Sequence, residues 1–271
     1  MSGENQTKAG PLTLVGDYVE DRAIKAAHFV EHVGGVSQLA WKTFRTLVTT
    51  RLEWNAFVYQ MEQLGVRSLA IASATSIFVG MVMTIQFGYF AALYGAKDGL
   101  GRMIVISEAR ELAPSLTSLV VGCRIAAGMA AELGSMAVTE QIDAIRALGA
   151  DPIRKLVVPR VLAGIFIMPL LSSIAFVLGM VSAMFIASTL DVAPDFFISA
   201  SLDSVQVQDV MSGIAKTPFF GFLITMVGCY FGITTTGGTE GVGQSTTRSV
   251  VVSAITLLIA DALLTQLFVS L

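Results

Sequence analysis

The hydrophobic positions of the chain fall into five long apolar segments that are separated by polar and charged stretches. A helix needs about 20 mainly apolar residues to cross the hydrocarbon core of a bilayer. The segments that reach this length are residues 66–96, 112–131, 161–190, 217–239 and 249–271, and none of them holds more than one Asp, Glu, Lys or Arg. The pattern predicts an all-α polytopic membrane protein, with five transmembrane helices in a domain over residues 66–271.

An amphipathic pattern precedes the first apolar segment. Apolar residues such as Leu39 and Phe44 recur at helical spacing with polar residues between them, and Trp41 is a candidate interface anchor. Amphipathic helices of this kind lie in a membrane interface instead of crossing it. We therefore expect interfacial helices on the cytoplasmic leaflet over residues 16–65, with a small helical domain packed on the bundle as the alternative. Residues 1–15 are expected to form a mobile tail.

The stretch between the second and third apolar segments also has helical spacing. Ile142 and Ile145 mark an apolar face, Ser135 is a suitable N-cap, and Gly149 is a suitable C-terminal stop. The sequence therefore predicts a short helix over residues 135–149. Because it is held between two spans, this helix cannot move without moving them.

Composition supports a membrane setting and excludes several functions. Hydrophobic residues make up 54% of the 271 residues and charged residues only 14%, against about 25% charged residues in an ordinary soluble domain. The mean hydropathy is +0.72. A net charge of −3 gives no basic surface for nucleic acid. The sequence has no metalloprotease, dithiol or serine-hydrolase motif, so we expect no metal site and no catalytic residue.

The basic residues predict an orientation in the membrane. Cytoplasmic segments of membrane proteins are enriched in Lys and Arg. An N-terminus inside the cell places most of the 17 Lys and Arg residues in or beside cytoplasmic segments, and leaves Lys97, Arg102, Arg110 and Lys216 on the opposite side. With five crossings, we therefore expect a cytoplasmic N-terminus and a periplasmic C-terminus.

Two charged residues lie well inside predicted spans. Arg124 falls near the middle of the second span, and Asp261 falls about midway along the fifth. A charge at the bilayer centre costs about 2.5–3.5 kcal/mol on translocon-based scales unless it is paired or hydrated. The two residues are candidate partners in a buried structural ion pair, with a direct role in transport or gating as the alternative.

Several sequence blocks resemble one family of membrane proteins. The longest is GCRIAAGMAAELGSMAVTEQIDAIRALGADP at residues 122–152, and its last part, continued to Pro159, is similar to the coupling-loop pattern of ATP-binding-cassette (ABC) permeases. The shorter blocks are FVGMVMTIQ at 78–86, RELAPSL at 110–116, LVVPRVLAG at 156–164 and GGTEGVGQSTTRSVVVS at 237–253. On these blocks, roughly residues 60–271 are identified as a member of the MlaE permease family, the membrane subunit of Mce-associated lipid transporters.

The resemblance implies an assembly and a substrate. Family members form a homodimeric permease with two cytoplasmic ABC ATPase subunits, which bind ATP and magnesium, and with a periplasmic ring of Mce-domain proteins. A STAS-domain regulator accompanies the ATPase in some members, and some relatives pair two different permeases. The complex moves phospholipids or related lipids between the bacterial inner membrane and the cell envelope. The chain itself would be a multi-pass inner-membrane protein that hydrolyses nothing and binds no cofactor.

The resemblance also assigns candidate coupling residues. Glu140, Asp143, Arg146 and Gly149 belong to the block that resembles the coupling loop. ATP-driven closure of the partner ATPase would push this helix and change the packing of the spans. Such coupling requires two states with different lipid contacts.

Candidate lipid contacts lie toward the predicted periplasmic side. Arg110 or Lys216 would meet a lipid phosphate through charge-assisted hydrogen bonds, and Glu111 would shape the polar rim. The alternative for these residues is a local ion pair that fixes the loop. The first span would supply an adaptable wall for acyl chains, formed by Met83, Gln86, Phe90 and Tyr94. On the cytoplasmic side, Arg248 would anchor a helix end or touch anionic headgroups.

Two other functions remain open from the sequence. An ion-coupled secondary transporter could use Arg124 and Asp261 as an intramembrane pair, but five spans do not divide into equal inverted repeats. A membrane scaffold would hold partner proteins without transporting a lipid. The first would move lipid without an ATPase, and the second would tolerate substitutions that fill the wall at Met83 and Phe90.

Overall fold

The computed structural model describes residues 31–50, 53–96 and 99–270, and within them every regular element is helical. The first helix, α1, covers residues 31–49 of the described part. The following helices are α2 (Trp54–Leu93), α3 (Leu100–Ser107), α4 (Thr117–Val138), α5 (Gln141–Ala147), α6 (Val158–Thr189), α7 (Pro194–Ser204), α8 (Val207–Ile233) and α9 (Gly238–Ser270). Two π-helical segments, π1 (Glu108–Leu116) and π2 (Ile153–Val157), precede α4 and α6.

Within the residues that the structure describes, five helical stretches are long and apolar enough to cross a membrane, as predicted. They are Trp54–Leu93, Leu100–Val138, Ile153–Thr189, Val207–Ile233 and Gly238–Phe268. α5 connects the second span to the third, and α7 connects the third to the fourth. The bundle therefore has an α5 end, where α9 begins, and an α7 end, where α2 finishes.

The helix that carries the first span begins earlier than predicted. α2 is continuous from Trp54, so residues 54–65 belong to the same helix as the apolar segment and do not form a separate one. No proline interrupts this stretch, so nothing ends the helix before the apolar segment begins. α1 is a separate helix, whereas the predicted tail and residues 16–30 lie outside the described residues.

The second span is longer than the predicted residues 112–131, because the helix continues from Leu100 to Val138. Pro114 lies inside π1. Proline has no backbone N–H and its ring clashes with the preceding turn of an α-helix, so the wider π turn accommodates it without ending the helix. Arg110 and Glu111 therefore lie within the span, in its π-helical part, and not before it.

The helix predicted over residues 135–149 is shorter in the structure. Ser135 is part of α4 and does not cap a new helix. Glu140 has a left-handed backbone with φ of 58°, and this residue separates α4 from α5. Gly149 follows α5 and is also left-handed, with φ of 77°. Glycine adopts this conformation without steric strain, so Gly149 fits the predicted role of a stop after the loop helix.

The fifth span begins at Gly238, before the predicted residue 249. The hydroxyl groups in its first turns donate to carbonyl groups one turn earlier. Thr246 Oγ1, for example, donates to the carbonyl oxygen of Val242 at 2.8 Å. These bonds satisfy the Ser and Thr side chains within the helix, so a polar stretch continues as the start of the span.

α2 packs along α6 through a row of small side chains. Every fourth residue in this part of α2 is small and buried; the row is Ser68, Ala72, Ser76, Gly80, Thr84 and Gly88. Small residues let the backbones of two membrane helices approach closely. A Cβ added at Gly80 would collide with the carbonyl oxygen of Gly179 and with Oγ of Ser182, both in α6. Large side chains of α2 that lie off this row, such as Phe78 and Tyr89, are exposed.

α8 lies at the centre of the bundle and packs against α4, α6 and α9. Its residues Phe220 and Ile224 are fully buried, as are Leu133 of α4, Met168 of α6 and Leu257 of α9. These side chains belong to one hydrophobic core cluster. The four helices α4, α6, α8 and α9 thus form the core on which the polar sites are built.

We expect Gly80→Val to lower the unfolding temperature of the purified protein in detergent. The added methyl groups would meet the backbone of α6, and overpacking of a close-packed interior costs about 1–3 kcal/mol. Gly243→Val in α9 is the matched control, because a Cβ added there meets nothing within 4 Å. Equal unfolding temperatures for the two variants would contradict the close contact between α2 and α6.

Candidate functional site

A polar cavity of about 310 Å³ opens near the α7 end of the bundle, between π1, α8 and α9. Arg110, Glu111 and Lys216 line it together with Thr265 of α9. The structure therefore brings together the three residues that the sequence placed at the polar rim of a lipid site.

The ammonium group of Lys216 is the centre of this polar network. The residue is only 1% exposed. Its Nζ donates to Glu111 Oε1 at 2.7 Å, to Thr265 Oγ1 at 2.7 Å and to the carbonyl oxygen of Arg110 at 3.2 Å. Asp261 Oδ1 lies 3.6 Å from Nζ. Because these partners use the N–H donors of the ammonium, Lys216 joins π1, α8 and α9 and has no free donor for a phosphate.

The guanidinium group of Arg110 is anchored on one side and open on the other. Its Nε and Nη2 lie 2.6 Å and 2.5 Å from Asp209 Oδ1. Asp209 is fixed in turn, because its Oδ2 accepts a hydrogen bond from the backbone N–H of Gln206 in a capping box at the start of α8. The Arg110 side chain is 44% exposed, so its remaining N–H donors are available to a ligand in the cavity.

Arg124 and Asp261 do not form the predicted ion pair. Asp261 lies beside Lys216, and Lys216 lines the cavity near the α7 end. Arg124 lies past the middle of the second span, and its Nη1 donates to Ser68 Oγ of α2 at 2.7 Å. The candidate pair is not formed because α9 is beside Ala126 at Ser249, so Asp261, twelve residues further along α9, lies about 18 Å from the depth of Arg124 at 1.5 Å per residue. The ion-coupled alternative therefore lacks the pair on which it relied.

The residues predicted to form an acyl-chain wall lie away from this cavity. Met83, Gln86, Phe90 and Tyr94 are on α2, whereas the cavity is formed by π1, α8 and α9. Phe90 is 46% exposed and Tyr94 is 81% exposed, because the small-residue face of α2 is the one that packs on α6. In the described chain these side chains do not join Arg110 and Lys216.

A methionine-containing apolar wall occurs on α6 instead. A second cavity of about 390 Å³ lies near the α7 end between α3, α6, α7 and the start of α8. Met180, Met184 and Phe176 of α6 line it, together with Phe197 of α7. Nothing in the α6 sequence distinguished these residues from other apolar positions of a span, so sequence reasoning missed them.

α5 presents the predicted coupling residues at the surface. Glu140, Asp143 and Arg146 are exposed, and Arg146 Nη1 lies 2.8 Å from Asp143 Oδ1. Ile142 is buried beneath α5, whereas Leu148 at its end is 85% exposed. An apolar side chain surrounded by charged ones suits a protein contact, since interfaces combine an apolar centre with a polar rim.

Three further side chains complete the polar networks and were missed from the sequence. Asp209 holds Arg110, and Thr265 Oγ1 bridges Lys216 and Glu111, with Oε1 of Glu111 at 3.0 Å. Glu132 of α4 pairs with the buried Arg160 of α6 at 2.6 Å. The capping box at Gln206 and Asp209 had a readable sequence spacing, but the contacts of the other residues depend on helix packing.

The remaining predicted positions take no part in the cavity near the α7 end. Arg248 is exposed on α9, toward the α5 end. Within the part of the chain that the structure describes, no group of three or more His, Cys, Asp or Glu side chains is placed to hold a metal ion.

Comparison with known proteins assigns a family. A model described as Permease MlaE matches residues 57–267. A "Probable ABC transporter permease protein" of Synechocystis sp. is 40% identical over 230 residues, which cover 84% of this chain and 88% of that protein. Another, of Rickettsia felis, is 34% identical over 258 residues, covering 95% and 98%. The Arabidopsis thaliana protein TRIGALACTOSYLDIACYLGLYCEROL 1, chloroplastic, is 36% identical over 231 residues, covering 85% and 66%. The chain therefore belongs to the MlaE family of ABC transporter permeases, which are membrane subunits and not enzymes.

Proposed function

We propose that this permease moves phospholipids or related lipids between the inner membrane and the cell envelope, driven by ATP hydrolysis on a separate subunit. The observation that carries the proposal is the cavity between π1, α8 and α9, where Arg110 offers free N–H donors beside the apolar side chains of Met211 and Phe268. A phospholipid has the same two parts, an anionic phosphate and apolar chains. The name of the Arabidopsis relative contains that of a diacylglycerol glycolipid, which supports a lipid substrate.

The residues of the cavity have different roles in this proposal. Arg110 binds the phosphate, because a guanidinium group donates charge-assisted hydrogen bonds in a planar fork. Asp209 holds Arg110 in position. Lys216 is a positioning residue that keeps π1 against α8 and α9, and Glu111 forms the rim. A lipid headgroup bound here would lie toward the α7 end, which is the periplasmic side in the predicted orientation.

An ABC permease implies an ATPase partner, and in this proposal the partner holds ATP and magnesium and docks on α5. The exposed Asp143, Arg146 and Leu148 form the docking surface. α5 connects to α4, and α4 continues directly into π1, which carries Arg110. A movement of α5 that is transmitted to α4 through the turn at Glu140 can therefore reach the cavity along one continuous helix. Transport follows if the two positions of this helix give the cavity different lipid affinities.

We further propose that two permease chains pair through α9. This is the least buried of the five spans. Ser249, Ser253 and Leu257 face the bundle, whereas Ile255 and Leu263 are exposed. A homodimer is the expected form, and a pair with a different permease would use the same face. A periplasmic Mce-domain protein above the α7 end and a STAS-domain regulator on the ATPase would complete the assembly, with the N-terminus in the cytoplasm and the C-terminus in the periplasm.

The test is ATP-dependent phospholipid transfer by the permease reconstituted with its ATPase. Arg110→Gln should lower the transfer rate about tenfold, since a hydrogen bond to a charged group contributes about 1.5–3 kcal/mol. Arg110→Lys keeps the charge and should retain part of the activity. Arg102→Gln in α3 is the matched control, because Arg102 is exposed near the same end and lies outside the cavity. Equal transfer by Arg110→Gln and Arg102→Gln would contradict a phosphate contact at Arg110.

A further inference from the structure

A second polar cavity lies between α2 and α4 and has a volume of about 360 Å³. Arg67, Gln60 and Gln63 of α2 and Arg124 and Glu132 of α4 supply its polar lining. It shares no lining residue with the cavity formed by Arg110, Glu111 and Lys216, called the Arg110 cavity below. It is therefore a separate site, in the half of the bundle toward the α5 end.

Both arginines of this cavity have N–H donors that are available to a ligand. Arg124 makes a hydrogen bond from Nη1 to Ser68 Oγ at 2.7 Å, and a guanidinium group has several further N–H donors. Arg67 is exposed, and among the residues that the structure describes its guanidinium has no hydrogen-bond or ion-pair partner. Two cationic groups thus line one cavity with their donors largely unused.

The carboxylate in the same cavity is already paired with another residue. Glu132 Oε1 accepts a hydrogen bond from Nη2 of Arg160 at 2.6 Å, and Nη1 of Arg160 donates to the carbonyl oxygen of Leu156. The Arg160 side chain is only 5% exposed, so breaking this pair would leave a buried charge without a partner. Glu132 therefore neutralises Arg160 and not the two arginines of the cavity.

The uncompensated charge lies where the hydrocarbon core begins. α2 has no charged residue from Ser68 to its end at Leu93, and Arg67 is the residue before this stretch. Cations at membrane depth are costly unless an anion or water compensates them. We propose that this cavity binds the phosphate of a membrane phospholipid between the guanidinium groups of Arg67 and Arg124.

The position favours a lipid as the source of the phosphate. With the uncharged stretch of α2 beginning at Ser68, headgroups of the leaflet at the α5 end would lie at the depth of Arg67, and the acyl chains of a bound lipid would enter the adjoining hydrocarbon core. Arg124 is about 20 Å from Arg110 along the second span, at 1.5 Å per residue. The inference rests on the proposed lipid transport for its choice of ligand, and it adds a headgroup site on the opposite side of the membrane from the Arg110 cavity.

The test is lipid binding to the full-length protein, measured by native mass spectrometry during titration with phosphatidylglycerol. Arg67→Gln should weaken binding at this cavity about tenfold, whereas Arg67→Lys keeps the charge and should retain most of it. Gly128→Leu should abolish binding there. A Cβ added at Gly128, which lines the cavity, meets nothing within 4 Å, so the larger side chain fills the cavity without displacing a helix.

Matched controls separate this site from the first. Arg102→Gln removes an exposed arginine outside both cavities, and a Cβ added at Gly34 in α1 meets nothing within 4 Å, so Gly34→Leu is the control for Gly128→Leu. The Arg67→Gln and Arg110→Gln variants should each lose a different bound phospholipid, and the double variant should lose both. Diacylglycerol, which lacks a phosphate, should not replace phosphatidylglycerol, and excess inorganic phosphate should not displace it.

The outcomes distinguish the inference from the proposed function. If Arg67→Gln and Gly128→Leu bind phosphatidylglycerol as the unmodified protein does, while Arg110→Gln loses a lipid, the second site is overturned and the proposed function stands. If Arg67→Gln loses a lipid but the unmodified permease, reconstituted with its ATPase, transfers none, the proposed function fails and the second site stands. If inorganic phosphate displaces phosphatidylglycerol, a lipid is not the occupant of this cavity. If Arg67→Gln dissociates a permease dimer, the lipid site is also overturned, because the cavity then binds a carboxylate of a second chain.

Discussion

Lys216→Met should abolish ATP-dependent phospholipid transfer and lower the free energy of unfolding by about 1–3 kcal/mol. The substitution removes a buried cation and leaves the carboxylates of Glu111 and Asp261 facing the same space without it. Asp261 is the more buried of the two, with 18% of its side chain exposed against 40% for Glu111, so its unpaired charge contributes most of the cost. Because Nζ also joins Thr265 to π1, the cavity would lose its shape together with its charge.

The thermal unfolding of the purified variant in detergent measures the loss of stability, and reconstituted transfer measures the loss of function. Lys42→Met is the matched control, because Lys42 is exposed on α1. Combining Lys216→Met with Glu111→Gln and Asp261→Asn removes the uncompensated carboxylates and should restore much of the stability, since a buried ionic group can be replaced by neutral side chains at little cost. Transfer should remain lost. A Lys216→Met variant as stable as the Lys42→Met variant would contradict the buried network.

The five spans could be predicted from the sequence because their main requirement is local. A bilayer demands a run of apolar residues of a certain length, whatever the helices pack against. The ends of the spans were harder to predict, because polar residues can extend a helix once they have partners. Arg110 lies within the second span because Asp209 of α8 holds it, and this partner is distant in the sequence.

The candidate site was only partly predictable for a similar reason. Charge beside apolar segments identified Arg110, Glu111 and Lys216, and the structure brings them together. The partners that fix their geometry, such as Thr265, carry no distinguishing signal in one sequence. The wall predicted at Phe90 lies outside this cavity, because the small residues of α2 decide which face packs on α6; its contact with acyl chains stays a prediction.

Backbone hydrogen bonds after α5, which the helical spacing of the sequence did not show, also set the conformation of the α5 loop. Gly149 forms the end of a Schellman motif: its N–H donates to the carbonyl oxygen of Arg146 at 2.9 Å, and the N–H of Ala150 donates to that of Ile145 at 3.1 Å. This motif ends α5 so that Leu148, next to Gly149, stands out from the surface. The sequence identified the glycine but not the leucine that it exposes.

Leu148→Glu should therefore weaken binding of the partner ATPase at least about 100-fold, and coupled transport should be lost with it. Full burial of a leucine side chain contributes about 1.5–3 kcal/mol, and a carboxylate buried at the same point adds a desolvation cost. Tenfold in affinity corresponds to about 1.4 kcal/mol. The measurement is the dissociation constant of the purified ATPase for the reconstituted permease, together with lipid-stimulated ATP hydrolysis.

Two further variants show whether such a loss comes from docking. Leu148→Met keeps an apolar side chain and should bind the ATPase nearly as well as the unmodified protein. Leu202→Glu in α7 is the matched control, because Leu202 is an exposed leucine at the other end of the bundle. If Leu148→Glu and Leu202→Glu bind the ATPase equally well, α5 is not the docking surface. If Leu148→Glu binds normally but no longer couples hydrolysis to transfer, α5 transmits the movement without supplying the affinity, and the ATPase must be held by another surface at the α5 end.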